Sequence, residues 1–263
     1  ARLGDPPESR GLRPARDTMG YPARRGVQEA VPVNRSEIEW TDYTWNPVTG
    51  CLHGCPYCYA RKIARRFPKN FPNGFTPTFW LNRIDEPKAL KKPAMIFTVS
   101  MGDMFGKWVP YEWQKAILDT INECPEQTFQ ILTKDPLKAS QVLTYHYIQT
   151  TGEGCLPENL WIGTSIDRGE NLFKLAHLRG LIGGKRFVSF EPLLTEMPPF
   201  DLVGYDWVII GAQTNPRKNP EPEWVRGIID TARDAGCKVF LKDSVQDWWP
   251  DTLREFPAAG GAR

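Results

Sequence analysis

Gly50-Cys51-Leu52-His53-Gly54-Cys55-Pro56-Tyr57-Cys58-Tyr59 sets three cysteines in a C-x3-C-x2-C array, with an aromatic residue just before the last. Three thiolates so close in sequence can converge on one metal centre from a single loop. A cubane iron–sulfur cluster held by four cysteines is closed and suited to electron transfer. One held by three leaves an iron with an open coordination position, where a substrate or cofactor can bind. Two other readings fit the same residues: a Cys3His structural zinc site that uses His53, and thiols that are merely buried or disulfide-paired. Zinc sites usually draw ligand pairs from separate segments. Disulfides between such near neighbours are disfavoured in a chain that shows no secretory signal.

Outward from this loop, short apolar runs alternate with helical patterns. Runs rich in Val, Ile, Phe and Thr, most of them bounded by Gly, Pro or Asp, predict strands over 39–45, 95–100, 128–133, 160–165, 187–190, 207–210 and 238–241. Amphipathic stretches at 112–122 and 224–235 read as helices, the second closed by Gly236. Strands alternating with helices imply right-handed crossovers and a parallel sheet. The expected fold is α/β, a partial or full barrel of parallel strands, over residues 36–256. Residues 1–35, rich in Arg, Pro and Gly without apolar periodicity, read as a disordered basic tail, and 257–263 as a frayed end.

A length of 263 residues suits one such domain, and 41% hydrophobic with 24% charged residues is ordinary for a soluble chain. The net charge of +2 neither demands nor excludes a nucleic-acid partner. The longest apolar runs are strand-sized, which excludes a spanning helix. Reduced cysteines without a secretory signal make the cytoplasm the expected compartment.

In αβ barrels the active site lies at the C-terminal ends of the strands, and here each expected strand ends in polar residues or glycine. The first leads into the cysteine loop; later tips carry Ser100, Gly102 and Asp103, then Lys134, Ser165, Glu191, Gly211 with Gln213, and Lys242. Lys134, Glu191 and Lys242 are candidates to act on a substrate or anchor its phosphate or carboxylate; ion pairs across the barrel mouth are the plainer reading. Thr164, Ser165 and Asp167 could meet ribose hydroxyls, or Asp167 could simply cap a helix. The helix after the cysteines carries Arg61, Lys62, Arg65 and Arg66, which would hold phosphate beside an anionic substrate and otherwise form a solvated face. Cys124, Cys155 and Cys237 are widely separated and read as structural thiols; His146 and His177 have no ligand spacing.

The array of Cys51, Cys55 and Cys58 with Tyr57 before the last cysteine resembles the signature of the radical S-adenosylmethionine (SAM) superfamily. The resemblance implies a [4Fe-4S] cluster on these cysteines. SAM would chelate the open iron and be cleaved reductively to a 5′-deoxyadenosyl radical that abstracts hydrogen from a substrate. It also implies an electron donor such as a flavodoxin or ferredoxin. Met101-Gly102-Asp103 resembles the superfamily's short motif after the second strand, which assigns the SAM ammonium to Asp103 with backbone near Gly102. Val208-Ile209-Ile210-Gly211 resembles the later strand that packs on SAM adenine. Tyr57, Ser100, Ser165 and Gln213 are the further cofactor contacts expected on this pattern.

The chain also resembles the phage Gp37/Gp68-like proteins over 38–242. The likeness rests on Ile38-Glu39-Trp40-Thr41-Asp42-Tyr43-Thr44-Trp45-Asn46-Pro47, Ser100-Met101-Gly102-Asp103-Met104-Phe105 and Phe129-Gln130-Ile131-Leu132-Thr133-Lys134. It continues in Ser189-Phe190-Glu191-Pro192-Leu193-Leu194, Asp206-Trp207-Val208-Ile209-Ile210-Gly211 and Phe240-Leu241-Lys242. Two departures stand out: Ala212-Gln213-Thr214 replaces a frequent Gly-Glu-Ser, removing a carboxylate, and Asp135 follows Lys134 where arginine is frequent. This likeness points to a nucleobase or nucleic-acid substrate. The alternative of another class is a non-catalytic, zinc- or cluster-stabilised nucleic-acid-binding protein.

Overall fold

The computed structural model describes residues 33–258. Most of the expected tail (1–32) and of the expected frayed end (259–263) lies outside these residues. The central sheet has eight strands: β1 (Asn34–Arg35), β2 (Tyr43–Trp45), β3 (Met95–Thr98), β4 (Thr128–Thr133), β5 (Leu156–Ser165), β6 (Gly183–Phe190), β7 (Trp207–Ile210) and β8 (Lys238–Leu241). All seven strands expected from the sequence are present. The eighth, β1, is two exposed polar residues paired antiparallel to β2, too short and too polar for a pattern to disclose.

From β2 to β8 every neighbouring pair is parallel. Spatial order follows chain order, β1-β2-β3-β4-β5-β6-β7-β8. A doubly wound sheet would reverse its order at a switch point; this one is wound in a single direction. The strand crossovers carry α1 (Tyr59–Arg66), α2 (Tyr111–Glu123), α3 (Pro136–Thr151), α4 (Leu175–Arg179) and α5 (Pro222–Asp234), with α6 (Asp243–Gln246) after β8. Local chemistry starts and stops them. Asp135 caps α3 by accepting from Lys138 N (3.2 Å), Pro136 follows at the first position, and Gly152 in the left-handed region ends it.

The two faces of the strands bury different clusters. One parity, including Ile96, Phe129, Ile131, Ile162, Val188 and Val208, packs with helix residues such as Ile117, Leu143 and Ile228. The other parity buries Phe97, Trp161, Phe187, Trp207 and Phe240 against Trp40, each fully buried large side chain contributing roughly 1.5–3 kcal/mol. Gly163 belongs to this interior: a Cβ there would stand 2.5 Å from the Phe187 ring.

Trp40 fixes the curvature. Its ring lies 4.6 Å from Phe97 on β3 and 6.0 Å from Trp207 on β7. On a flat sheet those strands would be about 19 Å apart, so the sheet is bent round into a partial barrel. The first expected strand, 39–45, is correspondingly shorter in the structure. Its residues before β2 form a turn (Thr41 N to Ile38 O, 3.2 Å) that carries Trp40 inward and Glu39 to the far end of β8. The sheet remains open, with β1 and β8 as its ends. No helix among the described residues is long and apolar enough to cross a membrane.

Candidate active site at the strand ends

The cysteine loop hangs on the tip of β3. Gly50 donates to Met101 O (2.9 Å), and Cys51 N donates to Phe75 O (3.1 Å). Gly50 has φ +90°, and a Cβ there would lie 2.4 Å from the carbonyl oxygen of Thr76, so glycine alone fits. On the β3 side Val99 has φ 60°, an outlying conformation for a β-branched residue and of the kind that concentrates at functional sites. It ends β3 at Thr98 rather than at 100 and turns the chain so that Gly102 N reaches Val99 O (3.1 Å). Asn46, just past β2, braces the turn by accepting from Met101 N (2.8 Å) and donating to Ser100 Oγ (3.1 Å).

Cys51, Cys55 and Cys58 are all unpaired and half-buried, and all three line one cavity of about 440 Å³ at the C-terminal ends of the strands. Cys58 is also the N-cap of α1, its sulfur accepting from Arg61 N at 3.3 Å. Burial pushes the Cys51 thiol up to about 12, so a metal that takes this sulfur displaces its proton.

Of the other expected site residues, Tyr57, Ser100, Gly102, Asp103, Lys134, Ser165, Glu191, Gln213 and Lys242 line the same cavity. Gly211 does not. A Cβ at Gly211 would stand 3.0 Å from the Glu191 carboxyl carbon and 3.1 Å from the Lys242 chain, so its bare backbone makes room for that ion pair. Thr164 is fully buried and donates to Thr133 O (3.2 Å), a strand-to-strand contact that leaves it no ribose to meet.

Asp103 is occupied differently from the expectation. Oδ2 accepts from His53 Nε2 (2.8 Å) and Lys134 N (2.9 Å), and Oδ1 accepts from Thr133 Oγ1 (2.7 Å) and Phe105 N (3.0 Å). A carboxylate has about four acceptor positions, and here four donors take them, which leaves none for an ammonium group. Asp103 is the pin that ties the cysteine loop to the ends of β3 and β4. His53, the fourth ligand of the zinc reading, has its Nε2 turned to this carboxylate. Cys124 and Cys237 are buried away from the cavity, as structural thiols are.

Two charged groups flank the cysteines. Tyr57 Oη donates to Asp167 Oδ2 (2.7 Å) and accepts from Lys134 Nζ (3.4 Å). Burial and the Asp167 carboxylate hold the Tyr57 hydroxyl far above its ordinary value. Burial acts to raise Asp167, but the Tyr57 hydroxyl and the Lys134 charge outweigh it and hold the carboxyl below its usual range. Across the cavity Lys242 Nζ lies 2.6 Å from Glu191 Oε1 and 3.6 Å from Glu39 Oε2. Burial acts to lower Lys242, yet the two carboxylates prevail and hold it above its ordinary value, so it stays a cation. Glu39 also lines the cavity and was missed as a site residue because it lay within the strand expected over 39–45; only the fold brings it there, as it brings Asn46 to the Ser100–Met101 turn.

Among the described residues no three His, Cys, Asp or Glu side chains converge closely enough to hold one metal ion. A cubane asks for something else. Each ligating sulfur meets a different iron, so the three sulfurs must share a cavity rather than an atom. The unpaired thiols on one loop, facing one cavity, fit that group.

A protein-family model described as protein of unknown function (DUF5131) matches residues 35–261; that description does not extend to the phage Gp37/Gp68-like proteins. No curated protein matches the sequence. Among solved structures, a cysteine-to-alanine variant of spore photoproduct lyase with dinucleoside spore photoproduct is similar at TM-score 0.51 and 11% identity, over 85% of this chain and 78% of that one. Spore photoproduct lyase complexed with dinucleoside spore photoproduct gives 0.47 at 12% identity. A tyrosine-to-phenylalanine variant gives 0.49 at 12%. In both of these the chain covers 55% of the other's length and 80% of its own is matched. The likeness is one of fold, to a radical SAM enzyme.

Proposed function

The chain belongs to the family described as protein of unknown function DUF5131, and from that premise we propose that it is a radical SAM enzyme acting on a nucleobase within a nucleotide or nucleic acid. The observation that carries the reading is the shared cavity: three unpaired cysteines of one loop face the polar tips of a singly wound parallel sheet. The fold's similarity to a radical SAM enzyme supports it. The substrate class is suggested by the dinucleoside spore photoproduct that the similar structure contains.

Cys51, Cys55 and Cys58 would hold a [4Fe-4S] cluster and leave one iron open to SAM. When bound, this pair of groups supplies reductive cleavage of SAM to a 5′-deoxyadenosyl radical that abstracts hydrogen from the substrate. The chain's own residues bind and orient. Asp103 holds the loop, and its saturated carboxylate passes the ammonium contact to backbone around Gly102. Lys134, whose one side-chain hydrogen bond among the described residues is to the Tyr57 hydroxyl at 3.4 Å, offers a cation to a carboxylate or phosphate. Lys242, held between Glu191 and Glu39, offers charge and hydrogen bonds but not a free base. Ser165 and Gln213 line the wall beside them and can contact SAM or substrate.

The test is anaerobic purification, reconstitution with iron and sulfide, and addition of SAM with a strong reductant. Formation of 5′-deoxyadenosine is expected, together with its loss to background in Cys58→Ala. A colourless protein that retains zinc, makes no 5′-deoxyadenosine and has no affinity for SAM would instead identify a non-catalytic nucleic-acid-binding protein.

A further inference from the structure

We propose that the mouth of the cavity is a track for the phosphodiester backbone of a single-stranded nucleic acid, so that the nucleotide entering the cavity belongs to a longer strand. This rests on the reading of the cavity as a nucleotide site and adds the polymer.

Two elements rise from the cavity wall. Helix α1 contributes Tyr59 and Ala60 to the lining, and the ribbon of Gln213–Thr214 with Arg217–Lys218 contributes Gln213 and Thr214. Lys62 Nζ donates to Asn215 O (3.3 Å), so the two stand side by side. Together they present Arg61, Lys62, Arg65, Arg66, Arg217 and Lys218, with Lys69 just beyond the helix. These are seven cations in a chain whose net charge is only +2. No Asp or Glu occurs anywhere between Asp42 and Asp85.

Unpaired charge alone does not set this surface apart from a solvated face; the position of Arg61 and Lys62 on the helix and the interleaved aromatics do. Elsewhere Lys88, Lys115, Arg179, Arg233 and Arg254 each meet a carboxylate, while Lys91, Lys92 and Lys107 are exposed without one among the described residues. Among the described residues none of the seven meets one. Arg65 and Arg66 suit the C-terminal end of the helix dipole, but Arg61 and Lys62 stand near its N-terminal end, where cations are disfavoured and helix stability gives no reason for them. Exposed aromatics are interleaved: Tyr59 is 49% and Phe67 47% exposed, with Arg66 over the Phe67 ring (5.4 Å) and Arg61 over Phe75 (5.5 Å). Unpaired cations that follow a backbone, with aromatic faces for unstacked bases, are what single-strand binding requires. A free nucleotide has no use for charges spread along two elements.

Fluorescence anisotropy on the reconstituted protein tests this, using labelled mixed-sequence 12-nucleotide DNA and RNA strands, mononucleotides, and phosphatidylserine vesicles. With about four phosphate contacts, strand affinity is expected to fall about 50-fold between 50 and 200 mM salt. The variant Arg65→Ala/Arg66→Ala/Lys218→Ala is expected to bind at least about tenfold more weakly, with a log–log salt slope smaller by about 2. Its thermal unfolding and its substrate-free 5′-deoxyadenosine formation should match the parent. The DNA and RNA arms tell which backbone is held. Mononucleotides binding as tightly as strands, a variant that binds unchanged, or vesicles bound in preference would each overturn the track. Salt-dependent strand binding without any 5′-deoxyadenosine would uphold the track and sink the radical reading. Deoxyadenosine formation without strand binding would do the reverse.

Discussion

Asp103 gathers three of its four donors from distant parts of the chain: His53 lies 50 residues away in sequence, Thr133 30 and Lys134 31, whereas Phe105 is only 2 away. The sequence shows the acid, in a Gly-Asp pair after a strand, but not its partners, which is why a ligand-holding role was expected where the structure has a pin. An Asp103→Asn variant puts an amide NH2 against donors that need an acceptor. It is expected to lose about 1–3 kcal/mol of stability, read by urea denaturation, and to lose cluster incorporation with it. The cysteines were legible for the opposite reason: their three positions share one short loop, so spacing alone carries the geometry.

Among the elements, the strands were legible because each is a short β-branched and aromatic run with turn residues at its ends. Their limits were less so. Val99 cuts β3 short, and β5 and β6 begin earlier than the apolar runs, at Leu156 and Gly183. The C-terminal segment was invisible as an element. It crosses β8 through Leu241 N to Leu253 O (2.8 Å) and Glu255 N to Val239 O (3.0 Å), covering a sheet edge that would otherwise be bare. Glu255 anchors it by a two-pronged pair with Arg233 (2.7 and 2.8 Å), and this guanidinium holds its carboxyl below the ordinary 4.5. A depressed acid stabilises the fold fully above its unfolded value, and that stabilisation disappears as pH falls through the folded one. Glu255→Gln is therefore expected to cost about 1 kcal/mol at pH 7, discounted for the pair's exposure, and nothing in acid below the folded value. Denaturant midpoints at the two pH values check it.

At the scale of the whole molecule, the single direction of winding was readable from the alternation of strands and helices; the closure was not. Bending depends on Trp40 meeting Phe97, Phe187 and Trp207, and on Glu39 meeting Lys242, contacts between residues that no local pattern links. Lys242→Ala leaves Glu39 and Glu191 facing each other across the open side. The expected loss is about 2 kcal/mol, less than for a fully buried pair because the three side chains are 17, 21 and 27% exposed. Because Lys242 is held above its ordinary value, its contribution is complete below that value and fades only as pH rises through the folded one. The loss should therefore be the same in urea titrations at pH 6 and pH 8.

The turn that carries Trp40 and Glu39 also sets an order of events during synthesis. Glu39 and the Asp243 amide it accepts from are 204 residues apart. At roughly 5–20 residues per second, the ribosome takes about 10–40 s to deliver the second after the first. Each parallel strand finds its neighbour as soon as the next unit emerges. The indole at position 40 must wait for most of its cage, exposed on a half-built trough, and that interval is when the nascent chain most needs a chaperone.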